Sequence, residues 1–449
     1  MKYRIIALLS LLFLSVTNLK AQNSTPVIFS PYSMYGFGEF VSPANISNRM
    51  MGGAGVALYD PTKINYINPA ALGSMRQNTA LFSFAGEGVS NYFKVNSVDI
   101  NQDPYTASSL NNSFSLHDVG FAIPLAKGIG LSVSMNPVSS VGYSTVYVDN
   151  NQDIIENIGR VAYSYYGEGG LSAVNTSVGM NVVKGLTIGA TMIYYFGNID
   201  RYYTAEVVPL LDNILTYYMR GRETYHFSKV SAAFGFQYAA RVSKTGVLSF
   251  GATYSLPTNF NTTYAREQML LNESYSLSDT VSMSSASIPI KLPSKLTAGV
   301  AYANGRFTVA ADYSTQDWTG AYDTDYETTG YGLTRQQQLN LGVSFTPNRY
   351  DLRKALNRWT YKAGFIYSTS YYTMTDSESG VVYQPKKIGG TLGVEMPLNR
   401  MGTTTLNIGL EAGHQGTTQY NQVSDTYVKV LVGFSLFGDD LWFKRRKLD

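Results

Sequence analysis

Two stretches of this sequence hold residue types that can do chemistry. Gly52-Gly53-Ala54-Gly55 has the glycine density of a loop whose backbone N–H groups cradle phosphate, and Ser115 lies close to His117, the pairing from which a hydrolase makes a nucleophile and its base. Each fails on context. A phosphate loop needs a strand before it, a helix after it and a Lys with Ser or Thr at a fixed offset. Here "NISNRMM" precedes the glycines, and Lys63 comes late and is followed by Ile64. One serine near one histidine lacks the orienting third group of a triad. With three histidines (His117, His226, His414) and no cysteine, no ligand set stands at metal-binding spacing. These residues predict no enzyme, no metal and no cofactor.

The elements that hold them must therefore be read for another purpose. Lys2 and Arg4, an apolar run from Ile5 to Val16 and a small residue at Ala21 read as a cleaved secretory signal over residues 1–21. The run is shorter than the roughly 20 apolar residues a membrane helix needs. Charged residues are 14% of the chain, against about a quarter in soluble proteins, while tyrosine reaches 36 residues and glycine 41. A net charge of +3 without a basic block excludes nucleic acid as a partner.

An exported, tyrosine-rich chain of this kind predicts an all-β fold, an antiparallel transmembrane β-barrel in a cell outer membrane. Its test is period-two alternation in segments of about ten residues. Val428, Val430, Val432, Phe434 and Leu436 oppose Tyr427, Lys429, Gly433 and Ser435; Leu406, Ile408, Leu410 and Ala412 oppose Asn407, Gly409, Glu411 and Gly413. The same reading along the chain places strands at 78–97, 114–124, 128–148, 158–183, 185–205, 222–241, 246–263, 288–304, 306–322, 332–346, 359–374, 384–397, 402–416 and 424–437. Fourteen is an even number, as a single-chain barrel requires. Short links fall at Lys127-Gly128, Lys184-Gly185, 244–246, Asn304-Gly305, 347–358 and 399–402, with one or two helical turns in "DLRKALNR"; longer loops, among them 206–221 and 264–287, lie on the other side. The tail 438–449, with Trp442 and Phe443, is expected at the periplasmic interface. Parity puts all three histidines on the lipid side. It turns Asp118, Lys229, Asp312, Lys362, Glu395, Glu411 and Lys429 inward, a balanced set suited to holding a plug by buried pairs.

With the barrel spanning 78–437, residues 22–77 remain. They lack alternation but are too aromatic for a linker, holding Phe29, Tyr32, Tyr35, Phe37 and Phe40. They are expected to pack as a looped plug in the lumen, with the small residues Gly52, Gly53 and Gly55 letting backbone run close to the wall and with Asn68-Pro69 initiating a turn. Asn48-Arg49-Met50-Met51-Gly52-Gly53-Ala54-Gly55, followed by Asp60 and then Asn68-Pro69-Ala70-Ala71-Leu72, resembles the N-terminal hatch of the FadL/TodX family of outer-membrane transporters for long-chain fatty acids and other hydrophobic compounds. The resemblance implies a fourteen-stranded barrel with a hatch, passive uptake of a fatty acid-like molecule, and sideways release through a gap beside a kinked third strand. The stretch "NSTPVIFSPYSMYGFGEF" ahead of the motif departs from the family, whose hatch begins near the mature N-terminus.

The third strand supplies a matching irregularity. Pro137 lacks a ladder donor and Gly142 follows it, so the wall is expected to open there. Two functions from different classes follow. One is a monomeric transporter whose partners are a hydrophobic small molecule and outer-membrane lipid. The other is an accessory or scaffold barrel in a secretion or surface-attachment assembly, with an envelope protein as partner.

Overall fold

The computed structural model describes residues 29–439 except 99–102, 150–151, 158, 209–217, 273–276, 322–330, 352, 377–378, 400–402 and 420–421. The signal peptide and residues 440–449 of the tail, with Trp442 and Phe443, lie outside the described residues.

Alternation decides the architecture. In the last strand Val428, Val430, Val432, Phe434 and Leu436 are 39–46% exposed, whereas Tyr427, Leu431 and Lys429 are 7% exposed or less. One parity faces out along the whole wall, where lipid solvates it; the other faces in. The wall strands are β1 Thr79–Val98, β2 Pro104–Ala126, β3 Ile129–Val148, β4 Arg160–Val183, β5 Leu186–Val208, β6 Tyr218–Arg241, β7 Val247–Ser255 with Thr258–Leu271, β8 Leu277–Leu292 with Lys295–Ala303, β9 Phe307–Asp317, β10 Arg335–Phe345, β11 Thr360–Thr369, β12 Lys386–Pro397, β13 Thr405–Gly416 and β14 Val423–Asp439. Neighbours pair antiparallel, and β14 returns to β1 from Thr79↔Asp439 to Val95↔Val423. The result is a closed barrel of fourteen strands. Closure removes the unpaired edges that lipid could not satisfy.

The six short links lie where the sequence places them, and Ala355–Arg358 makes one helical turn within the longest. The outer ends differ from expectation. β2 starts at Pro104, and the expected loop 264–287 is largely a hairpin, with Leu271↔Leu277 and Met269↔Thr280 paired. Above the apolar belt a strand needs ladder partners but no apolar parity, so alternation stops before the strand does. The wall is lopsided in consequence: β4, β5 and β6 run 24, 23 and 24 residues, whereas β9 to β13 run 10–12.

Pro257, Pro293 and Pro137 interrupt the wall with different outcomes. Pro257 in β7 and Pro293 in β8 face each other, and the ladder resumes on both sides, at Ser255↔Lys295 and Thr258↔Leu292. Pro137 sits at a bulge, with a register shift between Pro137 and Ser139 against β4. On its other side β3 pairs with β2 only from Ala126↔Ile129 to Val119↔Met135. Farther out β2 stays with β1 and β3 with β4, so the two part company.

Candidate functional site: the inner face and the side seam

Residues 29–77 meet inward side chains of strands all around the wall. Ile46–Arg49 is one helical turn capped by Asn45, whose Oδ1 accepts the Asn48 N–H at 2.8 Å. The turn aims Arg49 between Glu87 of β1 (2.5 Å) and Glu411 of β13 (2.9 Å), all three buried. Burial works against the charge on Arg49, but the two carboxylates outweigh it and raise the guanidinium pKa. Glu395 of β12 accepts from Lys63 (2.6 Å), Lys362 (2.8 Å) and Ser47 (3.0 Å). Asp312 of β9 accepts the N–H groups of Gly55 (2.6 Å) and Val56 (2.9 Å). Four of the expected inward charges, Asp312, Lys362, Glu395 and Glu411, thus bind the N-terminal segment directly. Asp118 and Lys429 are buried inward, and Lys229 is inward by parity but exposed.

Arg49 and Glu87 escaped the sequence reading. Glu87 alone was legible: it stands between Gly86 and Gly88 on the polar parity of "LFSFAGEGVSNYF".

The histidines need one correction. His226 and His414 face out, but His117 is 1% exposed with Nε2 3.0 Å from the Ala44 carbonyl. A bulge explains this: Ala85 pairs with Asp118 and Gly86 with Leu116, so His117 is the extra residue and both it and Asp118 turn inward. Ser115 is buried as well, so the pair does not lie on the barrel exterior, where a rim hydrolase would need it.

The Asn68-Pro69-Ala70 motif builds a turn and its seat. Asn68 caps the 3₁₀ turn Pro69–Ser74, with Oδ1 accepting the Ala70 N–H at 3.0 Å. Its Nδ2 donates to the carbonyls of Val56 (2.8 Å) and Phe236 (3.0 Å), so the side chain needs both an acceptor and donors. The turn rests on a row of glycines in register across four strands, Gly130↔Gly179↔Gly189↔Gly235. A Cβ on Gly179 would lie 2.2 Å from the Pro69 carbonyl oxygen, and one on Gly189 2.5 Å from the Pro69 carbonyl carbon. On the far side Gly52 adopts φ +67° and presses on β10 and β11; a Cβ there would meet the Leu341 and Phe365 carbonyls at 2.6 and 2.7 Å. Gly53 also has positive φ, +81°.

Residues 30–41 form a strap across the parted seam. Glu39 and Phe40 pair with Ser140 and Ser139 of β3, Val41 N–H donates to the Val138 carbonyl (2.9 Å), and Ser30 N–H donates to the Gly142 carbonyl (2.7 Å). Pro137 and Gly142 thus bracket the stretch of β3 that loses β2 and gains the strap. Phe37 is 1% exposed, its ring centroid 5.3 Å from Phe227, 5.8 Å from Trp318 and 6.0 Å from Phe260. Phe40 lies 5.2 Å from Trp318 and 5.5 Å from Tyr371. Beneath the strap a cavity of about 310 Å³ remains, lined by Pro137, Val138, Tyr195, Lys295, Gln338 and Lys387 among others.

A closed fourteen-stranded wall with an N-terminal segment bound to its inner face defines the class, a FadL-like β-barrel. Among solved structures the chain is similar to a Pseudomonas aeruginosa FadL homologue (13% identity, 90% of this chain and 100% of that one, TM-score 0.56). It is also similar to the Pseudomonas putida toluene transporter TodX (13% identity, 88% and 98%, TM-score 0.55) and the Ralstonia pickettii toluene transporter TbuX (15% identity, 88% and 98%, TM-score 0.50). No curated protein matches. The family model BamG matches residues 1–449, and the chain belongs to the BamG family. The FadL/TodX resemblance therefore holds for the fold.

Proposed function

We propose that the barrel serves the passage of hydrophobic compounds, long-chain fatty acids or molecules like them, across a bacterial outer membrane, with residues 22–77 as the hatch. The observation that carries this reading is the end of the β2–β3 ladder at Val119↔Met135, beside the Pro137 bulge. A side exit at that seam keeps an acyl chain out of water throughout, worth roughly 0.8 kcal/mol per methylene. The likeness in fold to a FadL homologue and to toluene transporters supports the same reading. Passage requires the strap to move, since its backbone pairs with β3 at the exit and Phe37 fills the chamber behind it. Pro137→Ala restores a ladder donor to β3, so uptake of radiolabelled oleate by cells carrying the variant should fall while the barrel still inserts. Unchanged uptake from a folded Pro137→Ala barrel would remove the seam from the mechanism.

One observation favours a second reading, an accessory or scaffold barrel in a secretion or surface-attachment assembly. The strap is held by directed hydrogen bonds to its main chain as well as by apolar contact, which is how proteins hold polypeptide.

A further inference from the structure

Three side chains of the chamber read the strap through its backbone, although Tyr32, Ser33 and Glu39 also make side-chain contacts of their own. The Tyr371 hydroxyl donates to the carbonyls of Tyr35 (2.7 Å) and Gly38 (3.0 Å), the Tyr372 hydroxyl donates to that of Tyr32 (2.9 Å), and Arg201 Nη2 donates to that of Gly36. On the other flank β3 supplies main-chain pairing to Glu39, Phe40 and Val41. Between these flanks the Phe37 ring fills a pocket of Phe227, Phe260 and Trp318. Main-chain bonds along an edge with a pocket for one side chain is the anatomy of strand addition. An acyl chain placed there would fill the pocket but leave the two tyrosine hydroxyls and Arg201 without the carbonyls they serve, a poor exchange in a buried chamber.

The resident segment also uses only part of the edge. Its ladder on β3 covers Ser139 and Ser140, while Tyr143–Val148 of β3 and Pro104–Asp118 of β2 carry no ladder pairing toward each other among the described residues. A longer extended segment entering the same seam would find ladder partners that the strap does not reach.

We propose that the seam between β2 and β3 is a strand-accepting peptide site, that residues 30–41 are its resident occupant, and that an extended segment of a partner polypeptide, presenting an aromatic residue to the Phe37 pocket, replaces them by exchange. This inference rests on the second reading above; the transport reading is judged separately, by oleate uptake.

The test uses the full chain with a protease site inserted between Val41 and Ser42. The barrel is folded in detergent, cut, and checked for retained heat-modifiable migration. A fluorescent peptide of residues 29–41 is then added and followed by anisotropy. The site predicts saturable binding to the cut barrel and at least tenfold weaker binding to the uncut one, whose tethered strap competes. A Phe37→Ala peptide should bind at least tenfold more weakly, a Tyr371→Phe/Tyr372→Phe barrel should hold the parent peptide more weakly, and excess oleate should not displace it. Failure of the peptide to enter a cut, folded barrel overturns the proposal. So does displacement by oleate at stoichiometric amounts, which would make the chamber a lipid site.

Discussion

Replacing Arg49 by methionine keeps most of the side-chain stem and removes the cation that bridges β1 and β13. Glu87 and Glu411, both buried, then lose the guanidinium at 2.5 and 2.9 Å. Breaking a buried pair by deleting one partner costs about 3–5 kcal/mol. Lys429 lies opposite Glu411 in the ladder and softens the loss, so the lower figure applies, about 3 kcal/mol. At 1.4 kcal/mol per decade, the equilibrium for release of the N-terminal segment rises roughly 150-fold. Cleavage after Lys63 by a lysine-specific protease reads that release, since Lys63 is held on Glu395 in the closed form and cutting follows the open population when reclosing is fast. The folded variant in detergent should be cut about two orders of magnitude faster than the parent. An Arg49→Met/Glu87→Gln/Glu411→Gln barrel should recover most of the protection, because no uncompensated charge is left. Cleavage of Arg49→Met within threefold of the parent rate, with an unchanged unfolding midpoint, would refute the claim that the bridge holds the segment to the wall.

Gly189→Val would drive a side chain into Pro69 and Ala70, so Lys63 should become protease-sensitive while the barrel still migrates as folded on an unheated gel. Asn68→Leu removes both donors to Val56 and Phe236 and the cap acceptor of Ala70; urea titration should show a loss of about 1–3 kcal/mol. Asp312→Asn keeps the shape but weakens two charge-assisted bonds to Gly55 and Val56, and faster hydrogen exchange at those two amides should report it.

The wall was legible because each of its strands records its environment locally. Lipid on one side and a crowded interior on the other write period two into ten consecutive residues, and Asn304-Gly305 or Lys184-Gly185 marks where the chain turns back. Legibility ended where the rule changed. "PYTASSLNNS" has no apolar parity because β2 has left the lipid there, yet it keeps its ladder with β1. A single extra residue at His117 shifted the inward face by one, and no local signal betrays a bulge whose extra side chain meets the distant Ala44 carbonyl. The Arg49–Glu87–Glu411 bridge joins residues hundreds of positions apart and was beyond local pattern. Parity alone turns Asp312, Lys362, Glu395 and Glu411 inward, but it says nothing of their partners. Pro137 marks a register shift in β3, whereas the Glu39–Phe40 pairing beside it depends on an edge that exists only once β2 and β3 have separated.

The row Gly130–Gly179–Gly189–Gly235 has a consequence for how the molecule is made. Across those four strands the wall has no inward side chains, so it cannot pack on itself at that height and encloses a gap unless Pro69–Ser74 is already there. The closing pair, β1 with β14, joins the start of the wall to its end. The bore of the finished cylinder is thus cut, at that height, to the gauge of the turn it holds.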